Sequence, residues 1–398
     1  MKIIYIHQYF KTPNESGGTR SYWIATELVK CNHKVVVITS KNDMDVSVKK
    51  EIINNIVIIY LNVPYSNEMG FIMRLRSFLV FMLKSCYYTL KEKGVNLVFA
   101  TSTPLTVGVP ALIMKWFKKI PYVFEVRDLW PEVPIQMGAL NNPLLKRGAT
   151  LLEKIIYKNS SHIIALSPGM REGVLKYVKN KKKVSLIPNM SKVDVFYPRV
   201  VSDKEKSDLG LNSTKFNCIH FGTMGIANGL DYIIMAAKYA NNNNINSIDF
   251  IFLGEGGEEI KLQKMVSESN LNNVKFLGPK GLKEVSNIVN ACDISIVSFA
   301  NIDILKTNSP NKLFDSLSAG KPIIVNSAGW TKDMVEEHNC GLFANPLIPK
   351  DLIRQIQKLE SDVELRKELS KNSRLLAENV YDKSILIPKL VEILENFK

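Results

Sequence analysis

Apolar residues in this chain fall into short, nearly continuous runs separated by longer stretches with helical spacing. Lys2–His7, Lys34–Thr39, Asn96–Thr101, Tyr122–Val126, His162–Ala165 and Val184–Ile187 are such runs, each predicted to be a strand buried on both faces. Arg20–Lys30, between the first two, has the spacing of a helix. A second series follows: Asn217–Phe221, Asp249–Leu253, Val274–Gly278, Asp293–Val297 and Ile323–Val325. Strands alternating with helices predict parallel sheets, so the expected fold is α/β with two Rossmann-like domains. Pro188-Asn189 and the polar stretch Arg199–Lys215 mark the link, which puts the domains at 1–198 and 199–379. Glu364 onward reads as a polar helix. Tyr381–Phe397 reads as an amphipathic helix with Ile385, Leu386, Leu390, Ile393, Leu394 and Phe397 on one side.

Met69–Lys93 is the longest helical segment. Arg74, Arg76 and Lys84 interrupt it, so it lacks the uncharged run of about 18 residues that a spanning helix needs. Its apolar residues nevertheless cover most of the circumference. One reading is a core helix; the other is an interfacial helix that inserts Phe78, Leu79 and Phe81 into lipid and sets its basic residues on headgroups. Lys115-Trp116-Phe117-Lys118-Lys119 repeats the basic-aromatic mixture.

Length and charge narrow the field. The 398 residues are comfortable for two domains, and Met1–Phe10 reads as a first strand rather than a signal peptide. The five cysteines (Cys31, Cys86, Cys218, Cys292, Cys340) have no C-x-x-C spacing, and the five histidines are dispersed. This argues for a reducing cytosol and against a zinc site or disulfide framework, so no metal is expected. The formal charge of +14 calls for an acidic partner: nucleic acid, anionic lipid or a phosphorylated substrate. No nucleic-acid-binding signature accompanies the lysines, which leaves lipid and phosphate. Asp43-Met44-Asp45 has the D-x-D form that holds metal elsewhere, but beside Lys41 and Asn42 it reads as a solvated turn and receives no role.

The chemistry concentrates in Lys306–Pro322, K-T-N-S-P-N-K-L-F-D-S-L-S-A-G-K-P. Ser309 suits an N-cap, Pro310 the first helical position, and Gly320-Lys321-Pro322 a stop. A lysine in the first turn opposes the helix dipole, so Lys312 implies an anion at the same place. The amides of Asn311, Lys312 and Leu313 would join it in a phosphate site, and Asp315 could accept from two ribose hydroxyls. The competing reading of Lys312 is a solvated lysine on a buried helix. Gly17 and Gly18, after the first strand, form a glycine loop or a plain turn; without the spaced G-x-G-x-x-G pattern they are weak evidence for a dehydrogenase. Arg127-Asp128-Leu129-Trp130-Pro131-Glu132 continues the Tyr122–Val126 strand, where open α/β sheets bind ligands, although a buried Arg-Asp pair beside a tryptophan would read the same way.

Pro310-Asn311-Lys312-Leu313-Phe314-Asp315, then Ala319-Gly320-Lys321-Pro322, resembles the signature helix of the retaining family 4 glycosyltransferases, which have the GT-B fold. E-V-R-D-L-W-P-E resembles a subgroup making bacterial surface polysaccharides, including N-acetyl-L-fucosamine transferases. The resemblance implies an interdomain cleft and a C-terminal helix, 380–398, crossing back to the first domain. It gives the donor contacts to Gly17, Gly18, Gly222, Thr223, Gly225, Asn228, Lys280, Thr307, Asn308, Ser309, Pro310, Asn311, Leu313 and Asp315. Lys312, Asp128 and Arg127 take catalytic places, and Arg20, Trp130 and Glu132 lie near the acceptor or donor sugar. The family's two signature glutamates stand here as Thr307 and Asp315, its usual arginine and lysine in the glycine turn as Thr223 and Asn228, and its histidine before Asp128 as Arg127. More of the phosphate charge then falls to Lys312. The implied reaction is metal-independent, retaining transfer from a UDP-sugar to a polyprenyl-diphosphate-linked saccharide. The donor sugar would be an N-acetylated hexose or deoxyhexose. The enzyme would sit in the cytoplasm, peripheral on the anionic inner face of the membrane, with no cofactor and no nucleic acid. A sugar-nucleotide epimerase and a non-catalytic scaffold of the same fold are the rival functions.

Overall fold

The computed structural model of the chain describes residues 1–15, 17–42, 44–66 and 69–397. Asp43 of the D-x-D sequence lies outside them. Two compact units result, one of 1–12, 18–188 and 386–398, the other of 13–17 and 189–385.

In the first unit the strands are β1 (Lys2–Ile6), β2 (Lys34–Lys41), β3 (Val48–Ile53), β4 (Ile56–Asn62), β5 (Leu97–Thr101), β6 (Tyr122–Val126), β7 (His162–Ala165) and β8 (Val184–Leu186). They form one sheet in the order β3-β4-β2-β1-β5-β6-β7-β8, parallel except for the antiparallel β3–β4 pair. The central strands β1, β5 and β6 are almost wholly buried, as their unbroken apolar runs require. The chain runs from β1 out to β2 on one side and returns with β5 on the other, so the β1–β5 boundary is a topological switch point.

The helix Phe71–Lys91 belongs to this unit's surface layer. Phe78 and Phe81 are buried in the core and cannot enter lipid, which corrects the expectation for those two residues. Arg74 Nε and Lys84 Nζ donate to the carbonyls of Met69 and Asn62, each at 2.8 Å. The helix leaves Ile72, Met73, Arg76, Leu79, Leu83, Tyr87, Leu90 and Lys91 exposed. Its end meets the helix Gly108–Lys118, whose Lys118 Nζ donates to the Leu90 carbonyl.

The helix Lys383–Glu395 returns to the first unit, where His33 Nε2 stands 2.8 Å from Glu395 Oε1. Its buried side is Leu386, Ile387, Leu390, Val391 and Leu394, so Ile387 and Val391 replace Ile385 and Ile393 in the expected stripe.

The second unit carries β9 (Phe216–Phe221), β10 (Ile248–Leu253), β11 (Val274–Phe276), β12 (Ile294–Val297), β13 (Ile323–Val325) and β14 (Gly341–Phe343), parallel throughout, in the order β11-β10-β9-β12-β13-β14. Its core packs Phe250, Phe252, Ile294, Ile324 and Leu352 around Ala236 and Ala237. The switch point here lies between β9 and β12. Asn189–Phe196 joins this unit because it is bonded to the helix Asn311–Ser318. Ser191 Oγ donates to the Phe314 carbonyl at 3.0 Å, and the Lys192 amide donates to Ser318 Oγ at 3.1 Å.

Candidate functional site

The second unit's site is built at its switch point from the turn after β9 and the helix that follows β12. Gly222, in a left-handed conformation with φ of +106°, opens the turn, and Gly229 with φ of +54° ends it. The neighbouring turn after β10 packs against it backbone to backbone. A Cβ on Gly254 would stand 2.1 Å from the Gly222 carbonyl oxygen, and one on Gly256 2.4 Å from that of Met224, so only glycine fits at either place.

Lys312 reaches this turn from the first turn of the helix Asn311–Ser318. Its Nζ donates to Asn228 Oδ1 at 3.0 Å and lies 2.9 Å from His220 Nε2. Asn228 is itself oriented by donating its Nδ2 to the Thr223 carbonyl at 2.9 Å. His220 is buried in β9, with Nδ1 at 3.2 Å from the Ile296 carbonyl. A carbonyl only accepts, so Nδ1 carries the proton and Nε2 accepts from the lysine. Burial, and then Lys312 itself, hold the imidazole well below its usual range, which keeps it neutral. Lys312 is partly buried as a residue, and desolvation of its ammonium lowers the pKa to about 7. Among the described residues no carboxylate pairs with it, and two neutral acceptors leave one N–H uncommitted.

The helix starts one residue later than the sequence predicts. Pro310 is the N-cap and Asn311 the first helical residue, with no side-chain cap. Ser309 Oγ instead accepts from the Asn189 amide at 3.3 Å. The Leu313 amide donates to the Pro310 carbonyl at 3.2 Å, within the helix start. Among the described residues the amides of Asn311 and Lys312 have no backbone partner, as expected of a first turn. Two free amides and an unpaired ammonium at a helix start are an anion-binding arrangement. Just before it, Asn308 has a buried Oδ1 with no partner among the described residues, whereas the Thr307 hydroxyl donates to the Ile304 carbonyl at 2.7 Å.

Asp315 is engaged differently from the expected ribose contact. It is 6% exposed and ion-paired with Lys192, whose Nζ is 2.8 Å from Oδ1 and 3.0 Å from Oδ2. As it stands, the carboxylate fixes the linker to the helix. Lys280, on the loop after the edge strand β11, is exposed with Nζ 4.0 Å from Glu284. Thr223 is exposed on the glycine turn and Gly225 lies beside it.

The first unit brings Arg127 and Asp128 to its own switch point. The Arg127 amide donates to Ser102 Oγ at 2.9 Å, and Thr103 Oγ1 donates to Asp128 Oδ2 at 2.8 Å. Burial raises the Asp128 pKa, opposed by Thr103 and Arg127. Arg127 Nη1 is 3.4 Å from Nε2 of His7, which follows β1 and is 3% exposed with Nδ1 unpartnered among the described residues. Gln8 beside it is fully buried, and neither end of its amide is bonded among the described residues.

Arg20 does not reach this cluster's surface. It is 2% exposed, bonded to Glu125 Oε1 at 2.9 Å and to the carbonyls of Ile187 and Pro188, so it is a structural residue rather than a sugar contact. Trp130 packs edge-on against Phe78, and Glu132 is exposed, accepting from Gln136 at 2.7 Å. Gly17, with φ of +123°, and Gly18 lie on the loop before the helix Arg20–Lys30.

Sequence reasoning missed His7, His220 and Lys192. The rule that ligands gather beyond strand ends points to His7, which directly follows β1. A single histidine or lysine in an apolar or linker stretch carries no comparable signal.

Residues 17–190 match the family model of the glycosyl transferase 4-like domain, and residues 201–376 that of the glycosyl transferases group 1. An uncharacterised glycosyltransferase of Methanocaldococcus jannaschii is 26% identical over 219 residues, 54% of each chain, so this chain spans about half the length of the curated relatives it matches. The sucrose-phosphate synthase of Thermosynechococcus elongatus superposes with a TM-score of 0.80 at 18% identity, covering 99% of this chain and 98% of that one. Anabaena HepE in complex with UDP-glucose superposes with a TM-score of 0.73 at 18% identity, covering 100% of both chains. These likenesses establish the GT-B fold.

Proposed function

We propose that this chain, which joins a glycosyl transferase 4-like domain to a glycosyl transferases group 1 domain in the GT-B fold, moves a sugar from a nucleoside diphosphate donor to a saccharide acceptor. The observation that carries the reading is the Lys312 ammonium. It stands at a helix start on a glycine turn, held by two neutral groups and matched by no carboxylate among the described residues. A departing diphosphate gains negative charge in the transition state, and a fixed cation with two amides stabilises that charge without reorganising. Lysine and amides then supply what a divalent metal supplies elsewhere. In a front-face reaction the leaving phosphate takes the acceptor proton, the anomeric configuration is retained and no protein nucleophile is needed. That the similar HepE is complexed with UDP-glucose supports a uridine donor.

The acceptor is proposed to be a lipid-linked saccharide of a surface polysaccharide. The donor sugar is proposed to be an N-acetylated hexose or deoxyhexose such as N-acetyl-L-fucosamine. The exposed residues from Ile72 to Leu90, with Arg76 among them and Trp116 and Phe117 exposed on the adjoining helix, suit the surface of an anionic membrane. No helix among the described residues is long and apolar enough to cross one.

Incubation with a panel of UDP- and GDP-sugars, with and without lipid-linked saccharide, tests the reading. Acceptor-dependent transfer is the expected result. Conversion of the donor without acceptor would make the chain an epimerase, and absence of any turnover or nucleotide binding would make it a scaffold.

A further inference from the structure

We propose that His220 is the positioning residue of the diphosphate site: it holds Lys312 over the glycine turn and thereby sets the affinity for the diphosphate group. The inference rests on the nucleotide reading above and adds to it a residue that never touches the ligand.

A lysine in the first turn of a helix has every reason to leave. The dipole repels it, and its four-carbon stem lets the ammonium reach water. Here the ammonium instead comes back to the β9 strand, where His220 Nε2 stands 2.9 Å away. The imidazole can take that role because its other nitrogen is spent. Nδ1–H donates to the carbonyl of Ile296 on the adjacent strand β12, which fixes both tautomer and ring plane and turns the Nε2 lone pair toward Lys312. Asn228 supplies the second acceptor at 3.0 Å, and its own amide is fixed by Thr223. The third N–H of the ammonium is therefore the one with a direction left to it. Beside it Gly222 has no side chain; a Cβ there would be 3.6 Å from the lysine Cε.

The identity of the acceptor matters. A carboxylate at position 220 would hold the lysine more tightly but neutralise it, and an anion would then gain little. A neutral imidazole orients the ammonium while leaving its charge for the ligand. A histidine that could protonate freely would repel the lysine, and its burial, together with the lysine itself, prevents that.

The experiment is calorimetric binding of UDP and of uridine to the full chain, as wild type, His220→Phe, His220→Gln and Lys312→Ala, and to the His220→Phe/Lys312→Ala double variant. Phenylalanine fills the ring's volume but offers no acceptor; glutamine carries an amide oxygen near the place of Nε2. The expected result is a UDP affinity lowered about tenfold or more in His220→Phe with uridine affinity unchanged, since a hydrogen bond to a charged group is involved. His220→Gln should recover most of that loss. In the double variant His220→Phe should add nothing to the loss caused by Lys312→Ala. Equal loss of UDP and uridine, or UDP affinity within twofold of wild type in His220→Phe, would overturn the positioning role while leaving the nucleotide site standing. A wild type that does not bind UDP would overturn the uridine diphosphate reading and this inference with it.

Discussion

Desolvation lowers the Lys312 pKa to about 7. A bound diphosphate favours the ammonium and raises that value, so binding takes up a proton between the two. The lysine's contribution to affinity is complete below about pH 7, where it is already charged, and falls by about tenfold per unit as the pH rises from there toward the raised value. Calorimetry of UDP at pH 8 in two buffers of different ionisation enthalpy should show that proton uptake, and Lys312→Ala should abolish it. Asp315 leads to a stability prediction instead. Asp315→Ala leaves Lys192 buried and unpaired, at a cost of about 3 kcal/mol, which denaturant unfolding of the variant measures. The double variant Asp315→Leu/Lys192→Met should recover most of it. An unfolding midpoint unchanged in Asp315→Ala would contradict a structural role for the pair. Lys312 was legible from sequence because a first-turn cation is an anomaly within one helix. Its partner His220 was not, because 92 residues separate them and only the β9–β12 pairing brings them together.

Elements were legible in proportion to how completely they are buried. β1, β2, β9 and β10 announce themselves as apolar runs because a parallel sheet covered on both faces leaves no polar side. The β3–β4 hairpin did not, since Val48–Ile53 is half exposed and reads V-K-K-E-I-I. Its turn is nonetheless written in Asn54 and Asn55, both with positive φ (49° and 64°), the conformation a two-residue hairpin demands. For the helix Phe71–Lys91 the two readings of the sequence prove to describe two sides of one element. Phe78 and Phe81 are core, while Leu83 is 65% exposed and Phe117 on the adjoining helix is 78% exposed. Liposomes with anionic lipid should bind the protein reversibly and more weakly as salt rises. Leu83→Ser with Phe117→Ser should weaken that binding, and Arg76→Gln should reduce its salt dependence, with donor hydrolysis in solution unchanged. A wild type that ignores such liposomes in low salt would refute the membrane docking.

At the scale of the whole molecule the same device appears twice. Each unit is a sheet whose parallel strands reverse their order beside the first strand, and each gathers polar side chains there: His7, Arg127 and Asp128 in one, His220, Asn228 and Lys312 in the other. The formal charge of +14 suits partners that are phosphorylated on both sides of the reaction. The proposed reaction turns on Lys312 stabilising the departing diphosphate during transfer. The direct test is the rate of UDP release from the preferred UDP-sugar in the presence of lipid-linked acceptor, for wild type and Lys312→Ala at pH 7. Acceptor-dependent release by the wild type is expected, with a rate lower by about 10²-fold or more in the variant and its fold intact by circular dichroism. Equal rates for the two proteins would contradict it.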